Sequence, residues 1–188
     1  MTFANPAGSA ASVAKTYVRA LLDLLGDRDP LEIAAVQLAW LDRRTAGLDE
    51  SALRRPEAPG KWSVIQVIQH LADTEVVYAW RTRQILSEDR PPIRGYDQDA
   101  WAQSLHYADA ALDVASGQLR GVRTANLRLW RALSPAERAR VGLHSERGPE
   151  SIDLLLKLMG AHDLVHRRQI DRALAAAGVS VPPDAASS

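Results

Sequence analysis

Apolar residues recur every three to four positions in several long segments of the chain, which is the spacing of a helix with one buried face. In the last of these segments the apolar stripe includes Ile152, Leu155 and Met159. The pattern predicts helices over residues 12–25, 29–47, 63–89, 109–133 and 151–177. We expect the first two to form one bent arm, so the chain is predicted to be all-α with four main helical arms.

Residues that favour helix ends support these boundaries. Asp29 precedes Pro30, as at many helix starts, and Ser63 is followed three residues later by Gln66, as in a capping box. Gly178 is placed to end the last helix. The segments between helices are predicted to be loops, namely residues 48–60, 90–97 and 138–150. No segment alternates over a length that would predict a strand.

The composition indicates a single domain and argues against several classes of binding partner. We place the domain at residues 12–178, between a flexible lead (1–11) and a flexible tail (179–188) of the 188 residues. Lys plus Arg and Asp plus Glu both number 23, so no net charge favours nucleic acid or an anionic membrane. No apolar run is long enough for a membrane span, and no secretory signal pattern is present. Cysteine is absent, so the cytoplasm is expected and any thiol would come from outside the chain.

Three of the five histidines fall on core-facing positions of predicted helices. His162 and His166 are four residues apart, so one helix face presents both imidazoles to a single ion. His70, on the helix of residues 63–89, supplies a third imidazole if the two helices meet. Imidazole binds zinc, nickel, copper and iron, and three protein ligands plus water are typical of an open metal site. The alternative is that these histidines are only packed and hydrogen-bonded in a plain bundle.

Three short motifs in the same order resemble those of the DinB-like superfamily. They are Trp62-Ser63, then His70 to Asp73, then His162 to His166. The resemblance covers about residues 15–177. It implies an antiparallel four-helix bundle with long crossover loops, often a homodimer. It also implies that His70, His162 and His166 bind a divalent metal, commonly zinc or nickel.

Other polar residues are candidates for binding substrate, transferring a proton or orienting the metal ligands. His144 could contact substrate or shuttle a proton, or it could be a solvated loop histidine. Arg81 lies on the same stripe as His70 and could hold an anionic substrate, or it could form an ion pair along its helix. For Asp73 and Glu75 we favour orientation of a histidine ligand, or a surface position, over catalysis. Asp163 points about 100° away from His162 and is predicted to be solvated.

Aromatic residues near the predicted site could line a pocket over the metal. These candidates are Trp62, Tyr78, Trp80, Tyr96 and Trp101. Trp40 and Trp130 are predicted to belong to the core. His106, in a connection between helices, is predicted to have no role.

Two kinds of function are compatible with these residues, and the resemblance implies the first. The first is a metal-dependent thiol transferase or hydrolase-like enzyme acting on a small molecule, with a low-molecular-weight thiol as a candidate cosubstrate. The second is a non-catalytic metal-binding stress-response protein in which the ion has a structural role. An open coordination position would favour the enzyme, and a fourth protein ligand would favour the structural role.

Overall fold

The computed structural model describes residues 11–181, with side chains from residue 15 onward. The parts of the predicted flexible ends at residues 1–10 and 182–188 lie outside the described residues. The α-helices are α1 Ala11–Leu25, α2 Pro30–Thr45, α3 Glu50–Arg54, α4 Val64–Ser87, α5 Gln98–Ser104, α6 Leu112–Arg131, α7 Pro135–Arg138 and α8 Ile152–Ala176. The strands are β1 Pro92–Ile93, β2 Val141–His144 and β3 Gly148–Ser151.

Four long helices form the bundle. Helix α4 packs against α6 and α8, and α2 contacts the same two helices. Long connections separate α2 from α4, α4 from α6 and α6 from α8. The all-α fold class is therefore confirmed. Helix α1 packs along α8 and follows a separate course from α2, with Gly26 between them at φ 59°, so it is an added helix rather than half of one bent arm.

Local hydrogen bonds set the helix starts that the sequence predicts. The Asp29 carboxylate accepts from the backbone N–H of Leu31 at 2.7 Å at the start of α2. The backbone N–H of Ser63 donates to Gln66 Oε1 at 2.9 Å at the start of α4. The Ser151 side chain accepts from a backbone N–H in the first turn of α8. These bonds satisfy backbone donors that have no partner inside the helix.

All three of the predicted loops contain regular structure. Residues 48–60 include α3, and residues 138–150 include β2 and most of β3. Strand β2 pairs in parallel with β1 and antiparallel with β3, with His144 opposite Gly148 beside the turn. The sheet also crosses the predicted loop of residues 90–97, because β1 lies within it. Strands of two to four residues are too short for alternation to be recognised in a sequence.

The apolar core of the bundle is divided into clusters, with Trp40 and Trp130 in different ones. Trp40 and Trp130, predicted to be core, are 2% and 0% exposed. Val179 and Val181, beyond α8, pack against the cluster that includes Trp40. Within residues 11–181, no helix combines the length and hydropathy needed to span a membrane.

Candidate metal centre

Helices α4 and α8 bring three imidazoles to one point. His162 Nε2 lies 3.1 Å from His70 Nε2 and 3.0 Å from His166 Nε2. One ligand atom from each ring falls within 4.8 Å of the other two, and no fourth His, Cys, Asp or Glu joins this group among the described residues. Ligand nitrogens on a tetrahedral zinc ion at about 2.0–2.1 Å lie about 3.3 Å apart. The donor set and its spacing therefore fit a divalent ion bound by imidazole.

Burial keeps these imidazoles neutral, which is the form that binds a metal. His70 is 1% exposed and His166 is 7% exposed. Burial lowers the pKa of His70 and His162 well below the usual 6.5, and the neighbouring histidines lower each pKa further. Burial also lowers the pKa of His166 to about 4, although the hydrogen bond to Gln169 acts in the opposite direction. At neutral pH the protein thus presents nitrogen lone pairs rather than charged rings.

Neighbouring side chains contact two of the rings, and Gln169 orients that of His166. Gln169 Oε1 accepts from His166 Nδ1 at 2.8 Å, which leaves Nε2 of His166 as the free acceptor nitrogen. Thr74 Oγ1 lies 3.4 Å from His70 Nε2 and 3.5 Å from His70 Nδ1, and 2.9 Å from the Tyr96 hydroxyl. Sequence reasoning missed Gln169, although its position one turn after His166 on the same helix face was a usable signal.

A buried ion network holds α4, α6 and α8 together beside the histidines. Arg123 Nε lies 2.8 Å from the Glu75 carboxylate, and Arg123 Nη1 lies 2.6 Å from the Asp163 carboxylate. Asn126 adds a 2.7 Å hydrogen bond to Glu75. The prediction that Asp163 is solvated is wrong, because the side chain is 1% exposed and pairs with Arg123 of α6. Glu75 likewise lies in this network, which gives it a partner in Arg123.

Aromatic residues near the site divide into three groups. Trp62 packs against His70, with 5.0 Å between ring centroids. Tyr96 and Trp101 pack against each other, with centroids 4.4 Å apart. Trp80 is 63% exposed and lines neither of the two cavities beside the histidines, so its assignment to a pocket over the metal is wrong.

Two cavities adjoin the histidines. The smaller, of about 60 Å³, includes His162, Tyr78, Tyr96 and His144 in its wall. The larger, of about 290 Å³, includes His166 and Gln169. Both contain Tyr17 and Gln98, so α1 and the start of α5 cover the centre. The centre is therefore reached from two sides.

Two of the remaining candidates, His144 and Arg81, line the smaller cavity, whereas His106 lies outside both cavities. His144 is a buried residue of β2, 3% exposed, and not a solvated loop histidine. Arg81 is 7% exposed and donates to the Arg94 carbonyl at 2.8 Å. His106 is exposed, with φ 55°, and lines neither cavity. Arg147 also lines the smaller cavity, and sequence reasoning missed it because its position depends on the unpredicted sheet.

Fold and site together define a helical bundle with an open three-histidine centre. The chain belongs to the DinB superfamily, whose sequence profile matches residues 36–170. This confirms the predicted family.

Individual relatives agree with that placement. A protein of Geobacillus thermodenitrificans, named as a candidate metal-dependent hydrolase, is 28% identical over 136 residues, which cover 72% of this chain and 69% of that protein. A protein of Bacillus mycoides with the same description is 26% identical over 155 residues, covering 82% and 88% respectively. The solved structure of YfiT from Bacillus subtilis, described in the same terms with an unusual four-helix bundle topology, matches with a TM-score of 0.75 and 25% identity. That match covers 80% of this chain and 87% of YfiT.

Proposed function

We propose that this protein is a metal-dependent enzyme that hydrolyses a small-molecule substrate at an ion held by His70, His162 and His166. The convergence of three neutral imidazoles, with no fourth ligating side chain among the residues that the structure describes, carries the proposal. Structural metal sites use four protein ligands, whereas catalytic sites use three and keep a position open. The names of the relatives, as candidate metal-dependent hydrolases, support the same reaction class.

The chain's own residues provide binding, orientation and access. A bound divalent ion supplies Lewis-acid activation and lowers the pKa of a water or thiol towards neutrality. Gln169 fixes the direction of the His166 ring through its hydrogen bond, and Thr74 contacts the ring of His70. The 290 Å³ cavity next to His166 gives room for the body of a substrate.

Thiol transfer remains the second reaction that this centre could support. The chain contains no cysteine, so the thiol would be a low-molecular-weight cosubstrate. We also propose zinc or nickel as the ion, because both bind imidazole well. A structural role for the ion in a stress-response protein is the remaining alternative, and the absence of a fourth ligand among the described residues argues against it. The homodimer and the cytoplasmic location stay predictions.

The test is an activity screen on protein purified without a histidine tag. The protein is loaded with zinc or nickel, and chromogenic esters and amides are supplied with and without a low-molecular-weight thiol. We expect turnover that a chelator removes and the metal restores, and that is lost in His166→Ala. Turnover that requires the thiol would assign transferase chemistry instead. Stoichiometric metal with no turnover in either arm would favour the structural role.

A further inference from the structure

His144 carries a buried ring nitrogen for which the described residues provide no partner. Its Nδ1 accepts a hydrogen bond from the backbone N–H of Glu146 at 3.1 Å. In the neutral ring the proton therefore lies on Nε2, which becomes a donor. Nε2 is buried and has no hydrogen-bond partner within the part of the chain that the structure describes. A buried donor without an acceptor is unfavourable, so a ligand atom that accepts from it is bound more tightly.

The surroundings of His144 keep this donor neutral. Burial, together with the guanidinium groups of Arg147 and Arg81 and against the opposing effect of Glu150, lowers its pKa to about 4. The ring is therefore a neutral donor at pH 7. Its Nε2–H is fixed in direction, because the backbone of Glu146 holds the opposite nitrogen.

Arg81 adds a positive charge to the same cavity. Its side chain is 7% exposed, and its hydrogen bond goes to the carbonyl oxygen of Arg94. No carboxylate pairs with it among the described residues, whereas Arg147 is bonded to Glu150 at 2.9 Å. A buried guanidinium with free N–H groups is suited to bind a planar oxyanion through two parallel hydrogen bonds.

We propose that the cavity between His144, Arg81 and His162 binds a carboxylate of the substrate. Arg81 and the His144 Nε2–H donate to its oxygens, and His162 places it beside the metal centre. This deepens the proposed function and rests on it, because the carboxylate belongs to the molecule that the three-histidine centre acts on. The substrate class is therefore a small organic acid.

The size and charge of the cavity favour a carboxylate over larger or more charged groups. A volume of about 60 Å³ is several times that required by one water, so it holds a group of a few heavy atoms. The rest of the molecule would lie in the 290 Å³ cavity. The carboxylate of Glu146 also lines the smaller cavity, and that of Glu150 is next to it, so a dianion such as phosphate is disfavoured.

Acetate is the probe that tests this site, with acetamide as a neutral control of the same shape. Each is titrated into the full chain in metal-loaded and chelator-treated forms, and the backbone amide signals of Gly95 and Glu146 are followed by NMR. We expect acetate to shift both signals in both forms and acetamide to shift neither. Arg81→Met should weaken acetate binding at least about tenfold, since it removes a charged hydrogen bond. Arg19→Met, an exposed arginine on α1, should leave the affinity unchanged.

Further variants keep the test decisive if Arg81→Met does not fold. His144→Phe should weaken acetate binding, and His144→Gln, whose amide can donate, should restore part of it. Four results would overturn the proposal: no acetate binding in either form, equal binding of acetamide, tighter binding of inorganic phosphate, or unchanged binding in the variants. Binding that requires metal and ignores these variants would show that acetate ligates the ion. Acetate binding to the chelator-treated protein depends on neither the metal nor turnover. A failure of the proposed hydrolase function is therefore distinguishable from a failure of this site.

Discussion

Removing the guanidinium of Arg123 should destabilise the protein more than any comparable change at the surface. In Arg123→Met the carboxylates of Glu75 and Asp163, both 1% exposed, lose their cation. Breaking a buried ion pair by removing one partner costs about 3–5 kcal/mol. For a domain of this size each kcal/mol lowers the melting temperature by about 2–4 °C, so a fall of roughly 6–20 °C is expected.

The pH dependence of this loss provides a second readout. Burial raises the pKa of Glu75, and Arg123 opposes that rise, so the variant should raise the pKa further. When the pKa of a carboxyl is higher in the folded than in the unfolded state, the free energy of unfolding of the protein falls as the pH rises between the two pKa values. The difference in the free energy of unfolding between wild type and Arg123→Met should therefore shrink as the pH is lowered from 7 towards 4.5.

Chemical denaturation at several pH values measures both effects. The matched control is Arg120→Met, one turn earlier on α6, because Arg120 pairs with Asp42 where both side chains are about half exposed. That change should cost less than about 1 kcal/mol. Adding Glu75→Gln to Arg123→Met should recover stability, since it removes one unpaired charge. A loss for Arg123→Met no larger than the control, or one that does not vary with pH, would refute the buried-network reasoning.

Three further predictions concern the histidines and the helix packing. His166→Ala should abolish metal binding while circular dichroism shows the helices intact, and His106→Ala should retain metal, as elemental analysis would reveal. The pKa of His166 is lowered to about 4 in the folded protein, so on acidification the unfolded chain takes up this proton at a higher pH than the folded chain does. The free energy of unfolding should therefore fall as the pH drops from 6.5 to 4. A constant free energy of unfolding over that range would contradict the prediction. Gly160→Ala should cost about 1–3 kcal/mol, because its Cβ would lie 2.8 Å from Pro30 Cα. Gly121→Ala, at an exposed helical position with open space around it, should instead stabilise the protein. Equal changes in melting temperature for the two variants would argue against close packing of α2 on α8.

The sequence was sufficient to place the long helices and the three histidines. Helical spacing fixes which face of α8 carries His162 and His166, and the same spacing puts His70 on the inner face of α4. The hydrophobic stripe that forms the core therefore also brings these rings together. Capping residues such as Ser63 and Ser151 set the helix starts to within a residue or two.

Features that depend on distant partners could not be predicted. Asp163 and Arg123 are 40 residues apart in the chain, and nothing local to either indicates that they pair in the core. The burial of His144 depends on a sheet of very short strands. In β2, Ile93 packs so closely against Gly142 that a side chain at that position would collide with it. The small cavity therefore had no signature in the sequence.

X-ray absorption spectroscopy of the zinc-loaded or nickel-loaded protein tests the central claim most directly. The ion content should be one per chain, and the first coordination shell should contain three imidazole nitrogens, at about 2.0–2.1 Å for zinc. His70→Ala, which removes the ligand from the separate helix α4, should reduce that number or abolish binding. Failure to bind an ion, or a bound ion whose spectrum shows no imidazole, would contradict the assignment of the three-histidine centre.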